Sequence, residues 1–145
     1  MKPHLTAAVL ACLPAAAVAA PVTVPSSGSV ADTVTRLEAA VADAGGRVFT
    51  VVDFGGGAKS VGEDIGNIQL VIFGDPRIGA AALSIDRMAA LDLPGKILVY
   101  ESGDGTVMAY DEPAEMLAEW DIPSDAPVLQ RMIETLERIT SAAVE

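Results

Sequence analysis

One short turn places the strongest limit on how this chain can fold. Ser102-Gly103-Asp104-Gly105 separates two runs typical of β-strands, Lys96 to Glu101 and Thr106 to Tyr110. Gly and Asp favour tight turns, and a connection this short can join only strands that run antiparallel. The sequence therefore predicts a β-hairpin, which excludes an all-parallel sheet.

Helical and β patterns alternate along the rest of the chain. Gln69 to Phe73, QLVIF, is apolar without alternation, as expected of a strand that is central or covered on both faces. Further strands are predicted at Pro21 to Pro25 and Arg47 to Asp53. Five helices are predicted. The first is capped by Ser29 and ends at Gly45, and the second is a short piece from Ala58 to about Ile65. The others run from Pro76 to about Ala90, from Pro113 to Trp120, and onward from Pro123-Ser124-Asp125.

This order of elements predicts the fold class. A hairpin, further strands and amphipathic helices in one chain of 145 residues indicate a single α+β domain. We expect two layers, with a mixed or antiparallel sheet of about five strands and helices packed mainly on one face. No internal repeat, linker or low-complexity tract divides the chain.

The N-terminus has the layout of a secretory signal peptide. Lys2 and His4 precede an apolar run from Leu5 to Val18, and Ala17-Val18-Ala19 fits the small-residue cleavage pattern. We therefore expect residues 1–19 to be removed by cleavage near Ala19, and the protein to be periplasmic or secreted. Residues 20–145 then form the domain.

Two alternatives remain open for the N-terminal segment. Val9-Leu10-Ala11-Cys12 loosely resembles a bacterial lipoprotein cleavage box, which would leave Cys12 as a lipidated anchor. The segment could also remain as a buried or membrane-anchoring helix.

Signal cleavage removes the residues on which much enzyme chemistry depends. Cys12 and His4 are the only cysteine and histidine in the chain. Without them the domain has no thiolate nucleophile, no Ser-His-Asp arrangement and no His or Cys ligands for zinc. We expect no disulfide, no metal and no cofactor, and the possible acids and bases are carboxylates, Lys, Tyr and water.

The charge balance is strongly acidic. Twenty Asp and Glu against nine Lys and Arg give a net charge of −11, and the basic residues are spread singly along the sequence. Such a chain lacks the basic run that nucleic acid or an anionic membrane surface would require. We expect neither partner once the signal is cleaved.

The stretch Val51 to Ser60, VVDFGGGAKS, has some features of a phosphate-binding loop. A Walker-type loop requires G-x-x-x-x-G-K-[ST], but Ala58 precedes Lys59 here and Asp53 occupies the position of the first glycine. A carboxylate at the mouth of the loop would also repel a phosphate. Nucleotide binding of this type is therefore rejected.

The same region carries a better match to a known family. Four elements occur in order and, with the first helix, resemble the domain-of-unknown-function family 302 (DUF302) from Val22 to about Ala143. These elements are RVFTVVD with AKSVG (Arg47 to Asp53, Ala58 to Gly62), LVIFGDP (Leu70 to Pro76), LDLPGK (Leu91 to Lys96) and YDEP (Tyr110 to Pro113).

The resemblance implies a compact α+β domain of TATA-binding-protein-like topology, without DNA binding here. It also implies a tendency to form homodimers, and it implies no established activity. The family commonly has Asp-His where this chain has Asp53-Phe54. Any histidine-dependent role in relatives is therefore in doubt for this protein.

Five residues are candidates for a binding or catalytic site. They are Asp53, Lys59, Lys96, Glu101 and Tyr110. Each also has a structural interpretation: a cap or loop contact for Asp53, a solvated side chain or ion pair for the two lysines, and a hairpin rim for Glu101 and Tyr110. Of the remaining notable residues, Met108, Met116 and Met132 are interpreted as core filler, Trp120 as a cap on the core, and Asp104 as a turn residue.

Two functional hypotheses follow. The preferred one is a non-catalytic exported bacterial module, homodimeric, that binds a small molecule or a periplasmic protein. The alternative is a small hydrolase or isomerase with Asp53 as base and Lys59 or Lys96 stabilising an anion. The enzyme requires Asp53 and a lysine to converge on one concave pocket.

Overall fold

The computed structural model describes residues 20–103 and 105–145. The expected signal peptide, its lipoprotein alternative at Cys12 and the turn residue Asp104 lie outside these ranges. Within them, no helix has the length and apolar character needed to cross a membrane.

Five strands form one open sheet in which every neighbouring pair is antiparallel. Ser102 pairs with Gly105 at the turn of the predicted hairpin, which is confirmed. Across the sheet, the strands lie in the order β1 (Val22–Ser26), β5 (Gly105–Tyr110), β4 (Gly95–Ser102), β3 (Ile68–Gly74) and β2 (Arg47–Asp53).

Helix α1 (Val30–Asp43) begins with the predicted capping box. The Asp32 backbone N–H donates to Ser29 Oγ at 3.1 Å, and the Ser29 N–H donates to Asp32 Oδ2 at 3.2 Å. Each side chain thus satisfies a backbone donor that a helix start would otherwise leave unpaired. The Ser29 hydroxyl, which also donates to Asp32 Oδ2 at 2.7 Å, and the Ser29 N–H hold the pKa of Asp32 below its ordinary value.

Several predicted helix boundaries are wrong. Helix α2 (Phe54–Ser60) begins directly after β2 rather than at Ala58, because Asp53 caps it. It ends at Ser60 rather than near Ile65, because Gly62 has a left-handed backbone with φ +90°. Helix α3 (Pro76–Ile85) ends before Ala90, because Asp86 has an extended backbone with φ −138°. The Asp86 side chain then caps a separate 3₁₀ turn, Arg87–Leu91.

The C-terminal helices are also shorter than predicted. Helix α4 (Pro113–Met116) does not reach Trp120. Helix α5 (Pro127–Ala142) begins after Pro123, because the Ala126 N–H donates to the Pro123 carbonyl at 2.9 Å and closes a turn first. Pro127 then occupies the first helical turn, where its missing N–H costs nothing.

The core consists of two adjoining clusters of buried apolar side chains. In the first, α1 and α5 pack on one sheet face, bringing Leu37 and Ile139 against Ile97 and Met108. In the second, α3, the 3₁₀ turn and α4 pack around α5 and Met132. A sheet with helices on one face makes the domain the predicted two-layer α+β fold.

Core filling by Met108 and Met132 is confirmed, because both side chains are buried. Met116 and Trp120 are partly buried against the second cluster. The Trp120 indole N–H donates to Asp92 Oδ2 at 2.6 Å, so the ring caps this cluster with its polar edge satisfied.

The other face of the sheet carries apolar side chains that the described helices do not cover. Leu70, Ile72, Leu98, Tyr100 and Val107 are each half-buried by their neighbours in the sheet. Strand β3 is therefore apolar on both faces, as its lack of alternation indicated. The described helices cover only one of these faces. We call this surface the open sheet face.

Candidate functional site

Asp53 stands at the end of β2, where it caps α2. Its Oδ1 accepts from the Gly56 N–H at 2.8 Å, and the side chain is exposed. Gly55 lets the helix approach the next strand closely, because a Cβ there would lie 2.5 Å from the Gly66 carbonyl oxygen. The local geometry gives Asp53 the capping role.

Glu101 and Lys59 lie at the same end of the sheet as Asp53. Glu101 accepts from Asn67, at 2.5 Å from Nδ2 and 3.1 Å from the backbone N–H. These two bonds, and to a smaller extent the positive charge of Lys59, hold the pKa of Glu101 below its ordinary value. All three candidate side chains are exposed.

Lys96 and Tyr110 lie toward the opposite end. Lys96 is exposed on the open sheet face, and Tyr110 is buried beneath the helices. Burial raises the pKa of the Tyr110 phenol, with the Thr140 hydroxyl acting in the opposite direction. The five candidates therefore do not converge, and neither cavity described below is lined by any of them.

Neither described cavity is the pocket that the enzyme hypothesis requires, since Asp53, Lys59 and Lys96 line neither of them. Within residues 20–103 and 105–145, no three His, Cys, Asp or Glu side chains are grouped so as to hold a metal ion.

An apolar cavity of about 300 Å³ lies elsewhere, between one end of the sheet and the helices. Its floor includes Phe73 and Ile139 from the first core cluster, and its walls include Leu83 and Met132 from the second. The cavity is therefore the gap where the two clusters fail to close on each other. At this volume and composition it falls within the range of small-molecule sites.

Gly79 explains why the gap stays open. Ile78, Gly79, Ala82 and Leu83 recur at helical spacing on the inward face of α3, so a side chain at Gly79 would point inward. A Cβ built at Gly79 meets no atom within 4 Å. The missing side chain leaves the space that the cavity occupies.

A β-bulge contributes an aromatic wall to the same cavity. The pairing of β2 with β3 shifts between Val48 and Thr50, so Phe49 is the extra residue. The Phe49 ring lies over Gly74, and the Arg47 guanidinium sits 4.8 Å from its centroid. Phe49 remains 46 % exposed, which places it at the mouth.

A second, mainly polar depression adjoins the cavity and shares four lining residues with it: Ala44, Asp75, Ile78 and Thr135. Three arginines complete it: Arg77, Arg131 and Arg138. We call these three side chains the arginine rim. They are three of the nine basic residues in an acidic chain, so their meeting gives this mouth a charge opposite to that of the whole protein.

The arginines of the rim differ in their partners. Arg77 forms a bidentate ion pair with Asp75, in which Nη2 lies 2.6 Å from Oδ2 and Nε lies 3.0 Å from Oδ1. These bonds hold the pKa of Asp75 below its ordinary value. Within the described residues, neither Arg131 nor Arg138 has a carboxylate oxygen within 4.0 Å. Two guanidinium groups thus remain available to an anion.

Sequence reasoning missed this site. The basic residues are spread singly along the sequence, and Asp75 serves as the N-cap of α3. One signal was present: Arg131, Thr135 and Arg138 have the spacing of a single helical stripe beside the apolar face of α5. Arg77 joins that stripe through the tertiary fold.

The fold and site together define an α+β domain with an apolar cavity between its sheet and helices. The chain belongs to the DUF302 family, "Domain of unknown function DUF302", whose sequence model matches residues 22–143. A crystal structure of an uncharacterized conserved DUF302 protein from Bacillus stearothermophilus superimposes with a TM-score of 0.79 at 18% identity. The match covers 85% of this chain and 97% of that one, and it shows the shared fold.

The chain is also similar to parts of longer proteins. It is 42% identical over 94 residues to "Fluoride-specific ion channel FluC 1" of Brucella suis biovar 1 and to the protein of that name in Brucella abortus biovar 1. The matched segment is 64% of this chain but 37% and 35% of those relatives. The chain thus spans about a third of the length of the curated relatives that it matches.

Proposed function

We propose that this protein is a non-catalytic module that binds a small, mainly apolar molecule in the cavity between its two core clusters. The observation that carries the proposal is the cavity of about 300 Å³, held open by Gly79 and lined largely by apolar side chains. Apolar pockets of this kind bind by removing ligand surface from water.

The volume sets the size of the ligand. An apolar cavity of ~150 Å³ holds benzene, so this cavity has room for about twelve non-hydrogen atoms. An eight-carbon chain therefore fits and fills about two thirds of the space. At about 0.5 kcal/mol per non-hydrogen atom, such a ligand binds with a Kd of roughly 0.1–1 mM.

Titration of 1-octanol, followed by heteronuclear NMR of the protein, tests the proposal. We expect saturable chemical-shift changes with a Kd of roughly 0.1–1 mM, concentrated on residues that line the cavity. Addition of 1-octanol up to its solubility limit without saturable shifts would contradict the proposal. Shifts confined to the open sheet face would contradict it as well.

We also propose that the domain forms a homodimer through its open sheet face. Leu70, Leu98 and Tyr100 are only half-buried there. No Asp or Glu is among the strand residues on that side of the sheet, and the charged residues there are Lys96 and Arg47, which pair with Ile72 and Gly74. Two copies can therefore meet on this face without the repulsion that their net charge of −11 imposes elsewhere.

The proposed place of action is the periplasm or the outside of the cell, supported by the leader pattern in residues 1–19. N-terminal sequencing of the protein from a bacterial host tests this. A first residue of Ala20 supports cleavage after Ala19, a lipid-modified Cys12 supports the lipoprotein alternative, and retention of Met1 contradicts both.

A further inference from the structure

We infer that the ligand of the cavity is an amphipathic anion, a molecule with one carboxylate-like head held by the arginine rim and an apolar tail in the cavity. This inference rests on the proposed function and adds the charge of the ligand to it. Two adjoining features carry it: an apolar space and a cationic mouth that shares four lining residues with it.

Two arginines of the rim have spare binding capacity. Arg131 and Arg138 lie two helical turns apart along α5 and flank Thr135, which lines both cavities. Glu134, three residues after Arg131 and four before Arg138 on the helix, accepts from Gln130 at 3.2 Å. A guanidinium presents a planar set of donors that matches a carboxylate in a bidentate fashion.

Asp75 does not cancel this positive mouth. Arg77 contacts both of its carboxylate oxygens, at 3.0 Å on Oδ1 and 2.6 Å on Oδ2. That pair is close to neutral as a unit. The charge of Arg131 also lowers the pKa of Asp75, but at longer range, and within the described residues no carboxylate contacts Arg131 or Arg138. Both guanidinium groups would therefore repel a cationic ligand head, whereas an anionic head would pair with them.

The same charges indicate a free amphiphile rather than a membrane surface. With a net charge of −11, the protein as a whole is repelled by an anionic bilayer. A single short-chain anion can enter the mouth without bringing that surface close.

Three eight-carbon ligands test the contribution of the head: octanoate, 1-octanol and octylammonium. The octanoate tail is one methylene shorter than the other two, which weakens its apolar contacts, so a preference for octanoate comes from its head. We expect octanoate to bind about five- to tenfold more tightly than 1-octanol, as for an ion pair at a partly exposed site, and octylammonium to bind less tightly than either. Added salt should weaken octanoate binding and leave 1-octanol binding nearly unchanged.

Variants test whether the arginine rim causes the preference for octanoate over 1-octanol. In the Arg131→Gln/Arg138→Gln double variant, octanoate affinity should fall to that of 1-octanol or below it, while 1-octanol affinity stays at the wild-type value. Arg87→Gln is the matched control, since Arg87 is exposed and lines neither cavity. Arg87→Gln should preserve the octanoate preference.

The outcomes separate this inference from the proposed function. Equal affinities of the wild type for octanoate and 1-octanol would overturn the anionic head and leave the apolar site standing. If neither octanoate nor 1-octanol binds, the anionic head and the apolar site are both overturned. A preference that survives the double variant would overturn the assignment to Arg131 and Arg138. Cosedimentation with phosphatidylglycerol vesicles that the double variant abolishes would overturn the free-amphiphile assignment.

Discussion

Filling the cavity from Gly79 should remove binding without unfolding the protein. Gly79 lies inside α3, and a Cβ there has no neighbour within 4 Å. Gly79→Ala should therefore stabilise the helix by about 0.8–1 kcal/mol, because glycine is a poor helix former. For a domain of this size, that gain corresponds to a rise in Tm of about 4 °C.

Gly79→Phe should block the site. Its ring and methylene add about seven carbons to a space that holds about twelve atoms, so an octyl tail loses at least three buried methylenes. At about 0.8 kcal/mol per methylene, the loss is about 2.4 kcal/mol, or roughly 60-fold in Kd. Gly79→Ala removes space for about one methylene and should weaken binding by less than about fourfold.

Thermal unfolding by circular dichroism and the 1-octanol titration provide the two measurements. The expected pattern is a raised Tm with nearly normal binding for Gly79→Ala. For Gly79→Phe we expect a Tm no lower than that of the wild type and no detectable binding. A folded Gly79→Phe protein with wild-type affinity would refute the reasoning, since the tail would then lie elsewhere. A lowered Tm for Gly79→Ala would refute the claim that a side chain has open space there.

Three other predictions concern stability and assembly. Ser29→Ala removes the side-chain cap of α1 and should lower the free energy of unfolding by about 1 kcal/mol in urea denaturation. Ser29→Asp keeps a capping oxygen and should retain most of the stability that the cap contributes. Arg36 donates to Ser26, Ser27 and Ala143 at 2.6–3.0 Å, joining β1 to the residues after α5, so Arg36→Leu should cost about 2 kcal/mol by the same assay. Wild-type stability for either alanine or leucine variant would contradict these roles. Leu98→Lys places a charge at the centre of the open sheet face and should convert the dimer to a monomer in light scattering, with Lys59→Glu as a surface control. A wild-type protein that is monomeric at high concentration would contradict the dimer itself.

The elements of the fold could be read from the sequence where local chemistry decides them. The turn at Ser102 to Gly105 allowed a single strand direction, and the Ser29–Asp32 capping box fixed the start of α1. Helix ends were less accessible, because they depend on competition between caps. Asp53 caps α2 earlier in the chain than the apolar pattern indicated, and Asp86 ends α3 early and caps the separate 3₁₀ turn.

The site could not be predicted in the same way. The sequence directed attention to Asp53 and Lys59, which follow a strand and a glycine run, a common position for functional groups. The cavity instead depends on space left between two clusters, which local patterns do not encode. Arg77 and Arg131 are far apart in the chain and meet because α3 packs against α5. Gly79 lies inside a helix and marks no turn, so its sequence context does not indicate that it leaves a volume empty.

The position of a bound ligand tests most directly whether the cavity is the binding site. Intermolecular nuclear Overhauser effects between octanoate and the methyl-labelled wild-type protein locate the tail. We predict contacts from the terminal methyl to Leu83 and Leu136, which line the cavity, and contacts from the methylene next to the carboxylate to residues near Arg131. Contacts confined to Leu70 and Leu98 on the open sheet face, or no contacts at saturating octanoate, would contradict it.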